Sequence, residues 1–211
     1  MPTESRERLG SLYANAPRDV YFAAARAAIR DYYLAQPSNP YRQSGRSSGA
    51  ERWLETRRCI AQAVHRDGDF LDVGCANGLL LESLIQWTGE RGIAIRPHGI
   101  DFVPELVALA RQRLAPHSGS FTVANAFYWR PDRQFDFVRT NLEYVQPDDW
   151  PEFLERQYSA VANGGRLIVC HYRNSDDEPI EVAALLHRLG YAVAGQAGVA
   201  GTSAVWCERR D

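Results

Sequence analysis

From Asp69 onward, short apolar runs trade places with stretches whose apolar positions recur at helical spacing. The runs Asp69 to Val73, Pro97 to Ile100, Ser120 to Ala124, Gln134 to Arg139 and Arg166 to Cys170 read as strands. Leu79 to Trp87, Pro104 to Leu114 and Asp149 to Ala162 read as helices between them. Proline opens the second of these, where its missing N–H costs nothing. Asn163-Gly164-Gly165 is expected to close the third. Such alternation predicts an α/β fold: a doubly wound, mostly parallel sheet with helices on both faces. Past Glu178 a helix (Pro179 to Leu189) precedes two strand-like runs, Gly190 to Gln196 and Ser203 to Glu208. The Gly-rich turn between the two runs predicts a hairpin, which makes the last strand antiparallel.

Ahead of this core the pattern is helical, in Asp19 to Ala35 and Gly49 to Val64. The Pro-, Ser- and Gly-rich stretch Gln36 to Gly49 is a loop between them. Two units are therefore expected: a helical extension over residues 1–67 and an α/β domain over 68–211.

Composition narrows the field. Four cysteines stand far apart with no C-x-x-C pair, which suggests neither a zinc site nor a disulfide framework. The five histidines show no ligand spacing, so no metal is expected. No apolar run reaches membrane length, and the polar start is unlike a secretory signal; the expectation is a cytoplasmic protein with no membrane partner. The net charge is -2, and all 24 basic residues are arginine. With so neutral a balance this reads as codon bias, not as a nucleic-acid surface.

The candidate chemistry sits in Leu71-Asp72-Val73-Gly74-Cys75-Ala76-Asn77-Gly78, between the first strand and its helix. Ligands of a doubly wound sheet bind at the carboxyl ends of strands, where strand order reverses. Gly74 and Gly78 let the backbone turn sharply beside a ligand, and the helix after Gly78 points its N–H groups at the loop. Neither G-x-G-x-x-G nor G-x-x-x-x-G-K-[ST] is present, and the sequence has no lysine. An acid at Asp72 disfavours a pyrophosphate and suits a ligand with an ammonium group. Asp101, ending the next strand, is placed to accept from two ribose hydroxyls or to cap the following helix. Phe102 suits an adenine face. Asn125, followed by Ala126 and Phe127, matches the N6 amine and N1 of adenine or serves as a turn residue.

Taken in order, these elements resemble the class I S-adenosylmethionine-dependent methyltransferases, from about Asp69 to Val169. Overall similarity, including Arg42-Gln43-Ser44-Gly45, points to a bacterial subgroup and brings no substrate. The resemblance implies a seven-stranded Rossmann-like sheet, with S-adenosyl-L-methionine held by Asp72, Gly74, Cys75, Ala76, Asn77, Gly78, Asp101, Phe102, Asn125, Ala126 and Phe127. Thr140 and Asn141, past the fourth strand, complete the expected donor set. Two departures from the family pattern are Ala76 at the middle glycine and Asn125 at the adenine-side acid.

An acceptor is expected past strands four and five, with Glu143, Tyr144 and His171 as candidate catalytic residues. Arg139-Thr140-Asn141-Leu142-Glu143-Tyr144 is not the N-P-P-Y sequence of base-amine methylation. A turn at Gln43-Ser44-Gly45, with Tyr41, is expected to close over the donor. The leading expectation is methyl transfer to O or N of a small molecule, by a monomer or homodimer. Protein or RNA methylation and a nicotinamide-dependent oxidoreductase are the alternatives.

Overall fold

The alternation becomes one sheet of seven strands in the order β3-β2-β1-β4-β5-β7-β6. The computed structural model describes residues 16–45, 49–172, 180–199 and 202–210. The strands are β1 Gly68–Val73, β2 Ile95–Asp101, β3 Phe121–Val123, β4 Phe135–Asn141, β5 Val161–Tyr172, β6 Val193–Val199 and β7 Thr202–Glu208. The helices are α1 Arg18–Leu34, α2 Gly49–Arg57, α3 Leu79–Gly89, α4 Pro104–Arg113, α5 Trp150–Ser159 and α6 Val182–Arg188. β1 to β5 pair in parallel, and β7 runs antiparallel to both β5 and β6. The expected doubly wound sheet with its terminal hairpin is therefore present. Its order reverses between β1 and β4, which opens a crevice at their carboxyl ends.

Every residue of β1 is buried, because helices cover both faces of the strand. Phe70, Phe137 and Ile168 pack on one face with Trp53 of α2 and Leu84 of α3. Leu71, Val138 and Leu167 pack on the other with Phe153 of α5 and Leu186 of α6. This two-residue alternation later decides which polar side chains share a site.

Two of the boundaries that differ from the sequence reading shape the fold most. Asn163-Gly164-Gly165 lies inside β5 instead of closing a helix. Phe135 pairs with Val161 but Phe137 with Arg166, so the extra residues bulge out of the ladder. Gly164 supplies φ +70°, and a Cβ on Gly165 would lie 2.6 Å from the Asp136 carbonyl oxygen. Secondly, the helix from Gly49 stops at Arg57 and continues as tighter 3₁₀ turns to Ala63. Thr56 Oγ1 bonds back to the Arg52 carbonyl at 2.6 Å, a contact that bends helices. Pro179, expected to start the last helix, lies outside the described residues.

Candidate functional site

At the crevice, the loop after β1 is held by its neighbours as well as by its own turn, in which Gly78 N donates to the Cys75 carbonyl at 2.9 Å. Gly74 and Cys75 both donate backbone N–H to the Ile100 carbonyl, at 2.8 and 2.9 Å. Gly74 has φ +78°, and a Cβ there would collide with the Tyr144 ring. Ala76, at the apex, has φ +48° and is the one non-glycine with positive φ among the described residues. An L-residue in that region costs roughly 1–2 kcal/mol. Asp101 holds it there: Oδ2 accepts from Ala76 N at 3.0 Å, and Oδ1 accepts from Val103 N at 2.9 Å. Asp101 thus does cap the turn into α4, while its carboxylate, with further lone pairs, also lines the cavity. Burial pushes its carboxyl up to about 6, against the pull of those backbone N–H groups.

A cavity of about 340 Å³ opens at the carboxyl ends of β1, β2, β4 and β5. That volume falls in the range of small-ligand sites. Gly74, Cys75, Ala76, Asp101 and Phe102 line it on the β1–β2 side, followed by Asn125, Ala126 and Phe127 after β3. Asn125 Oδ1 accepts from Phe127 N at 2.9 Å, so its carbonyl shapes the turn it was also expected to form. Beyond β4 come Asn141, Glu143 and Tyr144. Asn141 Oδ1 accepts from Glu143 N at 3.1 Å. Burial drives the Tyr144 phenol well above its ordinary value, so it keeps its proton at neutral pH and acts as a donor, not a base.

The sheet's alternation excludes two expected residues. Asp72, Arg139 and Tyr172 end β1, β4 and β5 on one face and line the cavity. Thr140 and His171 are buried but do not line it, because each adjoins a lining residue, Arg139 or Tyr172, along its strand and points to the opposite face. Two members of the donor loop are displaced as well. Gly78, with φ +77°, does not line the cavity; it sits against α4, where a Cβ would lie 3.2 Å from Ala110.

Asn77 is fully buried behind the loop. Its Nδ2 donates to the Pro40 carbonyl at 3.0 Å and to Gln43 Oε1 at 3.2 Å. Its Oδ1 accepts from Leu79 N at 3.2 Å and from the Ser44 hydroxyl. Asn77 therefore joins the amino-terminal segment to the loop and takes the first N–H of α3 for itself. Ser44 and Gly45 reach the cavity, whereas Tyr41 does not line it and packs on Trp53, which does. Asn77→Ala is expected to destabilise the fold by about 1–3 kcal/mol, since it strands several buried partners. Urea unfolding measures this, and a loss below about 0.5 kcal/mol, the range of surface substitutions, would contradict the joint.

The largest surprise is a buried chain of polar groups. Arg139 Nη1 pairs with Asp72 Oδ1 at 3.0 Å, and Nη2 donates to the Tyr172 hydroxyl at 2.8 Å. Burial outweighs Arg139 and raises the Asp72 carboxyl to about 6. The other oxygen, Oδ2, is buried with no hydrogen-bond partner. Arg57 then lies over the Tyr172 ring, its Cζ 3.3 Å from the centroid. None of Arg57, Arg139 and Tyr172 belongs to the set expected from sequence. An arginine inside the apolar run Phe135 to Asn141 is the signal that points to one of them.

Over the cavity lies α1. Phe22, Ala25, Ile29 and Tyr33 face the cavity from one side of the helix. Its ends are tied by Arg18 to Asp149 at 2.7 Å and by Arg30 to Glu105 at 2.6 Å. Both pairs are exposed and orient the helix more than they stabilise it. No helix among the described residues is long and apolar enough to cross a membrane.

Known proteins were compared with this chain. The family described as "Methyltransferase domain" matches residues 70–165. The trans-aconitate 2-methyltransferase of Rhodopseudomonas palustris (strain BisB5) is 27% identical over 128 residues, 60% of this chain and 48% of that protein. The chain thus spans about half the length of this curated relative. Among solved structures, the N-methyltransferase NodS from Bradyrhizobium japonicum WM9, in complex with S-adenosyl-L-homocysteine, superposes with a TM-score of 0.64 at 15% identity. That match covers 88% of this chain and 98% of the other. The Burkholderia thailandensis 1,6-didemethyltoxoflavin-N1-methyltransferase, with its substrate and S-adenosylhomocysteine bound, gives a TM-score of 0.67 at 16% identity. It covers 93% of this chain and 92% of the other. These two structures share the fold.

Proposed function

We propose that this chain, whose residues 70–165 match the methyltransferase-domain family, is an S-adenosylmethionine-dependent methyltransferase that methylates an oxygen or nitrogen of a small molecule. The observation that carries the reading is the two-sided cavity. One half is lined by the loop, Asp101 and Asn125, the other by Arg139, Asn141, Glu143, Tyr144 and Tyr172.

The residues present fit the donor. Asp72 Oδ2 is a buried, unpartnered acceptor suited to an ammonium group. Gly74 carries no Cβ, which lets the Tyr144 ring lie directly against the loop. Asp101 offers its carboxylate to ribose hydroxyls, and Phe102 an apolar face to adenine. When bound, S-adenosylmethionine supplies a methyl group on a positively charged sulfur and leaves as a neutral thioether.

The chain's own residues bind, orient and exclude water. In-line transfer needs the nucleophile aligned more than it needs a protein acid or base. α1 roofs the cavity with apolar side chains, which favours a dry site. On this reading α1, with Ser44 and Gly45, serves as the lid of the catalytic domain. Glu143 is the carboxylate nearest the acceptor half in sequence and takes a proton where the nucleophile carries one; Tyr144 holds its own. A roofed cavity suits a small acceptor better than a chain of protein or RNA. In the same direction, two relatives are named for small acceptors, trans-aconitate and 1,6-didemethyltoxoflavin.

Calorimetry with S-adenosylhomocysteine and with NAD tests the premise. The expected result is binding of the first, in roughly the micromolar range, and none of the second. Binding of NAD alone would reverse the assignment.

A further inference from the structure

We propose that the acceptor is a small amine with an apolar body, and that the Glu143 carboxylate draws it in as an ammonium and takes its proton. The inference rests on the methyl-donor reading above and names the class of acceptor.

Glu143 lines the cavity just past Asn141, the end of β4. Its backbone is fixed there, since Asn141 Oδ1 accepts from Glu143 N at 3.1 Å. Trp150 Nε1 donates to the neighbouring Leu142 carbonyl at 3.1 Å, which sets an indole ring beside this turn. Leu142, Val145 and Trp150 line the cavity with it and suit the apolar body. The other charges of the wall are engaged around the donor. Asp101 holds Ala76 and Val103 at the end of β2. Both arginines act on Asp72, Arg139 through its ion pair and Arg57 through its charge. An ammonium gains far more from a carboxylate than a neutral hydroxyl does, and it suits the indole face as well.

Elimination points to the same group as the proton acceptor. Burial pushes the phenols of Tyr21, Tyr33, Tyr144 and Tyr172 and the Cys75 thiol above their ordinary values, so these lining groups keep their protons at neutral pH. His171 does not line the cavity. An ammonium has no lone pair, so it must first pass one proton to Glu143. A dry site favours that exchange, because it disfavours both charged forms. The freed nitrogen pair then forms the C–N bond while the methyl C–S bond breaks, its electrons staying on the neutral thioether sulfur. The product is a methylated ammonium, and Glu143 returns its proton to solvent.

The test titrates benzylamine, and benzyl alcohol as its neutral counterpart, into the protein saturated with S-adenosylhomocysteine. Benzylamine is expected to bind at least about 10-fold more tightly. Glu143→Gln should erase that preference, and Glu143→Asp should keep part of it. S-adenosylhomocysteine affinity should stay within about twofold in both variants, which also reports that they fold. No preference for benzylamine in the wild type, including no binding of either probe, would overturn the proposal. So would a preference that survives in Glu143→Gln. A Glu143→Gln variant that keeps the wild-type urea midpoint yet loses donor affinity by more than about 10-fold would overturn it too, because Glu143 would then serve the donor. Failure of the wild type to bind S-adenosylhomocysteine is seen in a separate arm and counts against the methyl-donor premise instead.

Discussion

Arg139→Leu is expected to destabilise the protein by about 3–5 kcal/mol, the usual cost of breaking a buried ion pair from one side. The leucine is apolar and smaller, so the variant leaves Asp72, 1% exposed, without the charge that holds its carboxylate. It also removes the donor to the Tyr172 hydroxyl. Asp72→Asn in the same chain should recover much of the loss, since no charge then remains unpaired. The sign of the pH dependence follows from Asp72. Burial already raises its carboxyl to about 6, with Arg139 pulling it down. Without Arg139 it rises further above its unfolded value, so the folded variant binds the proton more tightly than the unfolded chain. Its deficit is therefore smallest at low pH and grows as pH rises through the folded value. Urea unfolding at about pH 5 and about pH 8 measures both effects. A loss below about 1 kcal/mol, or one that shrinks towards alkaline pH, would mean that Asp72 does not depend on Arg139.

Replacement of Asp101 by asparagine has the second large effect, on the donor. Its amide oxygen still accepts from one backbone N–H, so the turn into α4 is largely kept, while the charge offered to the ribose is lost. S-adenosylhomocysteine affinity should fall by roughly 10- to 100-fold, as for a charged hydrogen bond. Alanine is the poorer test, because it would strand the N–H groups of both Ala76 and Val103. In the wild type the Asp101 carboxyl titrates at about 6, and the ionised form is the better acceptor. Affinity should therefore climb as pH rises through about 6 and level off above it, and Asp101→Asn should lose the share of that climb due to Asp101. Asp72, raised to a similar value, keeps its own share. An asparagine variant that binds within about twofold of the wild type would show that the ribose is held elsewhere.

The loop from Leu71 to Gly78 was legible because its chemistry is local. An acid, a glycine that must turn and a helix start are consecutive in the chain. Asp101 was legible for the same reason, as a polar residue at the end of an apolar strand. Two expected residues that do not line the cavity share one cause. Thr140 and His171 lie in the right segments, but a strand sends successive side chains to opposite faces. A sequence locates a strand end more readily than it says which face holds the ligand. Asn77 differs for another reason: its partners Pro40, Gln43 and Ser44 lie more than thirty residues away, and no local pattern announces that joint.

Strand and helix periods, the terminal hairpin, the glycine loop after β1 and the acid at the end of β2 were fixed by the order of residues alone, since each depends on neighbours in the chain. Register and packing decided the rest. Parallel pairing sets Asp72 beside Arg139, and β5 brings Tyr172 to the same wall. The end of α2 then lays Arg57 across it. These residues come from four separate segments, so their meeting is a property of the folded sheet.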